Sequence, residues 1–198
     1  MHTRQLKVEG VVEFSPEIHR DRRGTFVSPF TGEALAAHAG RRAFPVAQLS
    51  YSTSQRGTVR GIHFTRCPPG MAKYVCCLAG AAQDFVVDLR KGSPTFGRWD
   101  TTRLSGATMR ALYVPTGVGH CFAALDDGTL IAYMMSGAYV PAHELALSPL
   151  DPALALPLPD GPVPVLSGRD RAAPTLQELD AQGLLPEYTE ALRLDGVR

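Results

Sequence analysis

The sequence predicts an all-β chain, folded as a sandwich, jelly roll or small barrel, with short helices confined to its flanks. Three observations carry the prediction. Apolar residues fall in runs of five to seven, rich in β-branched and aromatic types. Turn chemistry separates the runs, with 19 Gly and 16 Pro in 198 residues. Helical patterns occur only near the two ends.

In chain order, Gly32 to Ala39 reads as a short helix before Gly40. In Arg60-Gly-Ile-His-Phe64, strand alternation places Arg60 and Ile62 on one face, and Gly61 with His63 on the other. Lys73 to Leu78 is a strand ending at Ala79-Gly80, and Asp84 to Leu89 one ending in the Arg90-to-Pro94 turn. Arg110 to Val114 stops at Pro115, and Gly119 to Leu125 stops at Asp126-Asp127-Gly128 before Thr129 to Met135. The Asp127-Gly128 pair between two apolar runs predicts a β-hairpin. Pro149 to Pro164 reads as an extended strap. Thr175-Leu-Gln-Glu178 is a capping-box pattern that opens a helix stopping near Gly183, and a second helix is expected from Glu187 to Leu194. No internal repeat divides the chain, so residues 1–198 are expected to form one domain, with N-terminal strands over 1–50 and a helical tail over 175–198.

Composition excludes several function classes. Twenty basic against 19 acidic residues give a net charge of +1, unlike a generic nucleic-acid binder. No apolar run approaches the roughly 18 residues of a membrane span, and the N-terminus lacks signal-peptide zoning, so a cytoplasmic protein is expected. The four cysteines show no Cys-x-x-Cys spacing; reduced, partly buried thiols are expected. Only Lys7, Lys73 and Lys91 are lysines, leaving 17 arginines among the 20 basic residues. That scarcity gives Lys73, at the head of an apolar strand, more weight than an edge or snorkelling lysine would carry.

Two histidines stand out. His120, in Pro115-Thr-Gly-Val-Gly-His120, has the Pro-x-Gly-x-x-His spacing that resembles the second half-motif of cupin barrels. In many cupins that histidine binds metal with a His-x-His pair, but here Thr65 stands where the second ligand of His63 would be, so no metal site is expected. Taken singly, His63 reads equally as a core histidine, Tyr133 and Tyr139 as core or rim tyrosines, and Asp170 as a surface-loop carboxylate.

Several runs together resemble the dTDP-4-dehydrorhamnose 3,5-epimerase family. They are Arg56 to Phe64, Ala72-Lys-Tyr-Val75, Asp84 to Arg90, Gly92 to Trp99, Tyr113 to Phe122, Tyr133 to Pro141, His143-Glu144 and Leu166-Ser-Gly-Arg-Asp170. Asp21-Arg-Arg-Gly-Thr-Phe26 supplies the N-terminal motif, so the resemblance spans about residues 8 to 190. It implies a cupin-type jelly-roll barrel without metal or other cofactor, a dTDP-4-keto-6-deoxyhexose substrate, and a homodimer in which N-terminal strands reach the partner. The implied reaction removes a proton beside the 4-keto group and returns it on the opposite face, at C3, C5 or both.

By resemblance, His63 is the base, Asp170 orients it, Lys73 faces the C4 oxygen, and Tyr133 is the acid. Arg23 and Arg60 match diphosphate contacts. Gln48, His120, Glu144 and Arg169 match other substrate contacts, while Phe26 and Tyr139 match aromatic groups around the nucleotide. Three departures, Ser28, Ser50 and Met71 in place of the family's usual Glu, Asn and Gln, are expected around the substrate, where they bear on the sugar and the carbon inverted. Two other readings stay open: a non-catalytic nucleotide-sugar-binding cupin, and a metal-dependent cupin enzyme using His63 and His120.

Overall fold

The computed structural model describes residues 1–39, 44–159 and 163–196. Its strands are β1 (His2–Gln5), β2 (Val12–Ser15), β3 (Ile18–Asp21), β4 (Gly24–Val27), β5 (Gln48–Ser54), β6 (Val59–Thr65), β7 (Lys73–Ala79), β8 (Ala81–Asp88), β9 (Trp99–Ser105), β10 (Ala111–Val114), β11 (Val118–Ala124), β12 (Thr129–Met135) and β13 (Glu144–Ala146). The helices are α1 (Gly32–Ala39), α2 (Gly168–Arg171), α3 (Leu176–Ala181) and α4 (Tyr188–Leu194). The strands form a six-stranded antiparallel sheet, β1-β2-β10-β7-β12-β5, and a five-stranded one, β13-β6-β11-β8-β9; β3 and β4 pair only with each other.

The central strands read as continuous apolar runs because both of their faces are buried. Val75, Cys77, Val86, Leu112, Phe122 and Ile131 fill the space between the sheets. The alternate residues of β7, Tyr74 and Cys76, pack outward beneath Leu35 of α1, with Phe30 and Phe44 against them. Outside the five-stranded sheet, Ile62, Phe85 and Val87 meet Leu147, Leu154, Leu179 and Leu185. Leu154 belongs to the proline-rich strap, which Trp99 anchors by donating from Nε1 to the Leu154 carbonyl at 2.8 Å. The part of the strap at residues 160–162 lies outside the described residues. α3 opens with the expected capping box, the Thr175 side chain accepting from the Glu178 N–H while Glu178 accepts from the Thr175 N–H.

Two local expectations are corrected. The Asp127-Gly128 turn joins no hairpin: β11 lies in the five-stranded sheet and β12 in the six-stranded one. The turn signal is local, whereas pairing is decided by the sheet each apolar run can complete, and here the chain crosses the edge of the sandwich. The Asp127 carboxylate instead accepts the Arg56 N–H at 2.8 Å.

The second correction concerns β6. His63 lies opposite His120 and Arg60 opposite Phe122, so three steps along β6 match two along β11. This bulge puts Arg60 on the same side as His63, while Ile62 turns into the outer apolar layer. Gly61 makes it possible: its φ is +121°, and a Cβ there would sit 2.5 Å from the His120 carbonyl oxygen.

At the end of β8, the buried Arg90 guanidinium pairs with Asp88 through Nε and Nη2, each at 2.8 Å. Burial pushes the Asp88 carboxyl up, but Arg90 and the Ser93 and Thr95 hydroxyls outweigh it and hold it below the ordinary carboxylate range. Arg90 also donates to the Glu9 carbonyl at 2.7 Å and lies over the Tyr188 ring, tying the N-terminal loop and α4 to this sheet.

Candidate active site

A cavity of about 430 Å³ opens between the sheets. β5, β7 and β12 of one sheet and β6 and β11 of the other supply most of its walls. His63, Lys73 and Tyr133 face it, as do Gln48, Arg60, His120, Tyr139, Glu144 and Arg169. A second hollow of about 550 Å³ shares Arg60, His63 and Arg169 with the first and adds Asp170, so the two form one trough.

His63 Nε2 lies 2.6 Å from Asp170 Oδ1. The carboxylate is not on a surface loop; it is buried in α2, whose first turn is capped by the Ser167 side chain accepting from the Asp170 N–H at 3.0 Å. Burial pushes the Asp170 carboxyl up, but its hydrogen bond and charge interaction with His63, the Ser167 hydroxyl and the Gly61 N–H prevail and hold it below the ordinary range. An ionised carboxylate therefore backs the imidazole and fixes its ring.

Lys73 crosses from the opposite sheet and donates from Nζ to the His63 carbonyl at 3.3 Å. Burial pushes its ammonium down, Glu144 pulls it back up, and Arg169 pushes it down again, with a net lowering. Tyr133 stands on the same sheet as Lys73, so the phenol and the imidazole lie on opposing walls. Its hydroxyl is 3.1 Å from Ser52 Oγ, and its ring meets the His120 ring edge-on at 6.2 Å. Burial pushes the phenol pKa well above its ordinary value, so it carries its proton at neutral pH.

The remaining wall groups are held individually. His120 Nε2 is 2.8 Å from Asp84 Oδ2, both side chains being buried. Burial pushes the Asp84 carboxyl up against the opposing pull of His120. Thr65, at the position of the absent second histidine, donates to Glu144 Oε1 at 2.7 Å. Gln48 donates to Ser50 Oγ at 3.0 Å and accepts the Tyr139 N–H at 2.8 Å. Arg60 donates to Ser54 Oγ at 3.1 Å. Among the described residues, no three His, Cys, Asp or Glu side chains converge as a metal site would require.

Arg23 and Phe26 are not brought to this cavity. They sit on the exposed β3–β4 ribbon, where Arg23 pairs with Asp21 at 2.5 Å. Of the three departures, only Ser50 lines the cavity. Ser28 is exposed just past the ribbon, and Met71 is buried beside Gly137.

Sequence reasoning assigned no role to Asp84, Ser52 or Thr65. Asp84 carried a signal, since a carboxylate within an apolar strand needs a partner. So did β5, where Gln48, Ser50, Ser52 and Ser54 alternate with outward Leu49, Tyr51 and Thr53, inverting the usual polar-out pattern. Such an inversion marks a wall facing a polar cavity.

The His63 imidazole on one wall, the protonated Tyr133 phenol on the other and the Lys73 ammonium at the His63 backbone suit proton removal from carbon on one face and proton delivery on the other. Comparisons with known proteins agree with that chemistry. The family profile described as dTDP-4-dehydrorhamnose 3,5-epimerase matches residues 5–178. The dTDP-4-dehydrorhamnose 3-epimerase of Streptomyces niveus is 48% identical over 188 residues, covering 95% of this chain and 90% of that protein. The solved Mycobacterium tuberculosis rmlC epimerase superposes with a TM-score of 0.96 at 43% identity, covering 99% and 98% of the two chains. ChmJ, a 3'-monoepimerase from Streptomyces bikiniensis solved in complex with dTDP-quinovose, superposes with a TM-score of 0.92 at 43% identity, covering 96% of each chain.

Proposed function

The chain belongs to the dTDP-4-dehydrorhamnose 3,5-epimerase family, with its cupin-type jelly roll, and we propose that it inverts C3 of its substrate with His63 as base and Tyr133 as acid. It is an isomerase, an epimerase of dTDP-4-keto-6-deoxy sugars in deoxysugar biosynthesis. The observation that carries the assignment of roles is the placement of the His63–Asp170 pair and the Tyr133 phenol on opposing walls, with the Lys73 ammonium against the His63 backbone. C3 is the carbon common to the 3-epimerase and 3,5-epimerase relatives.

A proton beside a ketone is weakly acidic, so the step needs a placed base and a charge waiting for the enolate. His63 Nε2 is committed to Asp170, which leaves Nδ1 to take the C3 proton. The C–H electron pair moves into the C4 carbonyl, and the enolate oxygen meets Lys73. Tyr133 then gives its proton to C3 from the other wall, inverting the carbon. His63 is left protonated and Tyr133 ionised, and exchange with solvent resets both. Arg60 and Arg169, shared by the two hollows, suit the diphosphate. Gln48, His120, Glu144 and Tyr139 complete the sugar and nucleotide contacts.

Arg23 and Phe26 enter this reading through a homodimer. β1 and β2 pair within their own sheet, so the reaching segment is the β3–β4 ribbon. Its Phe26 is 69% exposed, and β5 ends its sheet with Leu49 and Tyr51 at 68% and 75%. Apolar groups this exposed on a ribbon and a sheet edge support burial against a second copy.

The test is proton NMR in deuterium oxide with dTDP-4-keto-6-deoxyglucose. The expected result is deuterium at C3 of an inverted product. Binding of the sugar nucleotide without exchange at C3 would sink the catalytic assignment and favour a binding module. Exchange at C5 as well would make the enzyme a 3,5-epimerase.

A further inference from the structure

The Tyr133 hydroxyl makes one hydrogen bond among the described residues, to Ser52 Oγ at 3.1 Å, and Ser52 Oγ has no other partner there. The contact runs diagonally. Tyr133 lies opposite Ser50 in the β5–β12 register, while Ser52 lies opposite Ile131, and the long phenol spans the offset. With the His120 ring against its edge, the phenol is held at its side by β11 and at its tip by β5.

A phenol that gives up its proton here faces a hard environment. Burial and the negative charge of Asp84 both work against the phenolate. Arg60 eases it from a distance, and Ser52 is the one neutral donor in contact. A serine hydroxyl is both donor and acceptor and turns about a single bond. Having no second partner, it is free to reverse its role.

We propose that Ser52 is the positioning residue for the acid of this reaction: it accepts from the Tyr133 phenol before proton delivery and turns to donate to the phenolate afterwards. The inference rests on Tyr133 being the acid. The Tyr133 O–H bond breaks as the C–H bond forms, Ser52 keeps its own proton throughout, and solvent later returns a proton to Tyr133. Alanine removes this switch, whereas threonine preserves it.

The experiment compares wild type, Ser52→Ala, Ser52→Thr and Tyr133→Phe in deuterium oxide with dTDP-4-keto-6-deoxyglucose. It reads two rates, formation of inverted product and deuterium entry at C3 of recovered substrate. Losing a hydrogen bond to a charged group corresponds to about a 10- to 100-fold fall in inversion for Ser52→Ala. His63-driven exchange into recovered substrate should persist, because the proton released to His63 still trades with solvent. Ser52→Thr should invert within roughly 3-fold of wild type, since the hydroxyl remains.

Equal loss of exchange and inversion in Ser52→Ala, undiminished inversion, or a threonine variant that fails like alanine would each overturn the role of Ser52. Tyr133→Phe separates the two levels. If it loses inversion while Ser52→Ala does not, only the role of Ser52 fails. If it inverts normally, the acid assignment fails and takes the role of Ser52 with it.

Discussion

Lys73 shows what a single side chain brings to this site. In a chain with three lysines it is buried at the head of β7, its ammonium pushed down by burial and within reach of the His63 carbonyl. Removing a donor aimed at a developing oxyanion costs about 10²- to 10³-fold in kcat, so Lys73→Ala should lose that much with a smaller change in KM, measurable by steady-state kinetics. Lys73→Arg should not restore it, because a planar fork does not fit a point-charge position. His63→Ala should abolish C3 exchange, read by proton NMR; retained turnover would remove His63 as the base. The four groups His63, Lys73, Tyr133 and Asp170 were legible because rare or polar types within patterned runs matched a family's sequence. Asp84, Ser52 and Thr65 were not, since each acts by touching another side chain, and such pairings depend on register between strands distant in sequence.

At the scale of elements, the apolar runs gave the strands, but their partners needed the sheets. The Asp127-Gly128 turn was correctly placed and wrongly taken as a hairpin, because turn chemistry says where a chain reverses and not which sheet it enters. The β6 bulge was invisible for a similar reason: strict alternation has no place for the extra residue at Gly61-Ile62 that brings Arg60 beside His63. The helical tail was legible through its capping box, and its role emerges in three dimensions. Asp195, just past α4, accepts from the Thr116 N–H at 3.0 Å and from its hydroxyl at 2.6 Å, fixing the turn that leads into β11 and His120. Asp195→Ala should lower stability by about 1–3 kcal/mol. Chemical denaturation would measure that loss, and KM should rise as His120 loses its register. Unchanged stability would show the latch to be idle.

For the whole molecule, the two sheets are joined to the flanking segments around Arg90 and Asp88. Asp88→Ala would leave a buried, unpaired guanidinium, and a loss of about 3–5 kcal/mol is expected by denaturant titration. Because the Asp88 carboxyl is held below its ordinary value, its contribution is fully present above the unfolded carboxylate pKa of about 4 and is lost as pH falls through the lowered folded value. Melting temperature should therefore drop steeply on the acid side of pH 4 in wild type, with a shallower drop in Asp88→Ala. Arg23→Ala should weaken dTDP binding only if the ribbon of one copy serves the cavity of another; calorimetry together with the solution mass would decide it. The same two-sheet architecture places His63 and Tyr133 on opposing walls, and their action as opposed base and acid is the central claim. It is tested most directly by the isotope content of both sugars early in a reaction run in deuterium oxide. Two opposed groups predict an inverted product that carries solvent deuterium at C3 from the first turnovers, whatever deuterium His63 also returns to the recovered substrate. An inverted product that retains the substrate's own C3 proton would mean that one group both takes and returns it, contradicting the account.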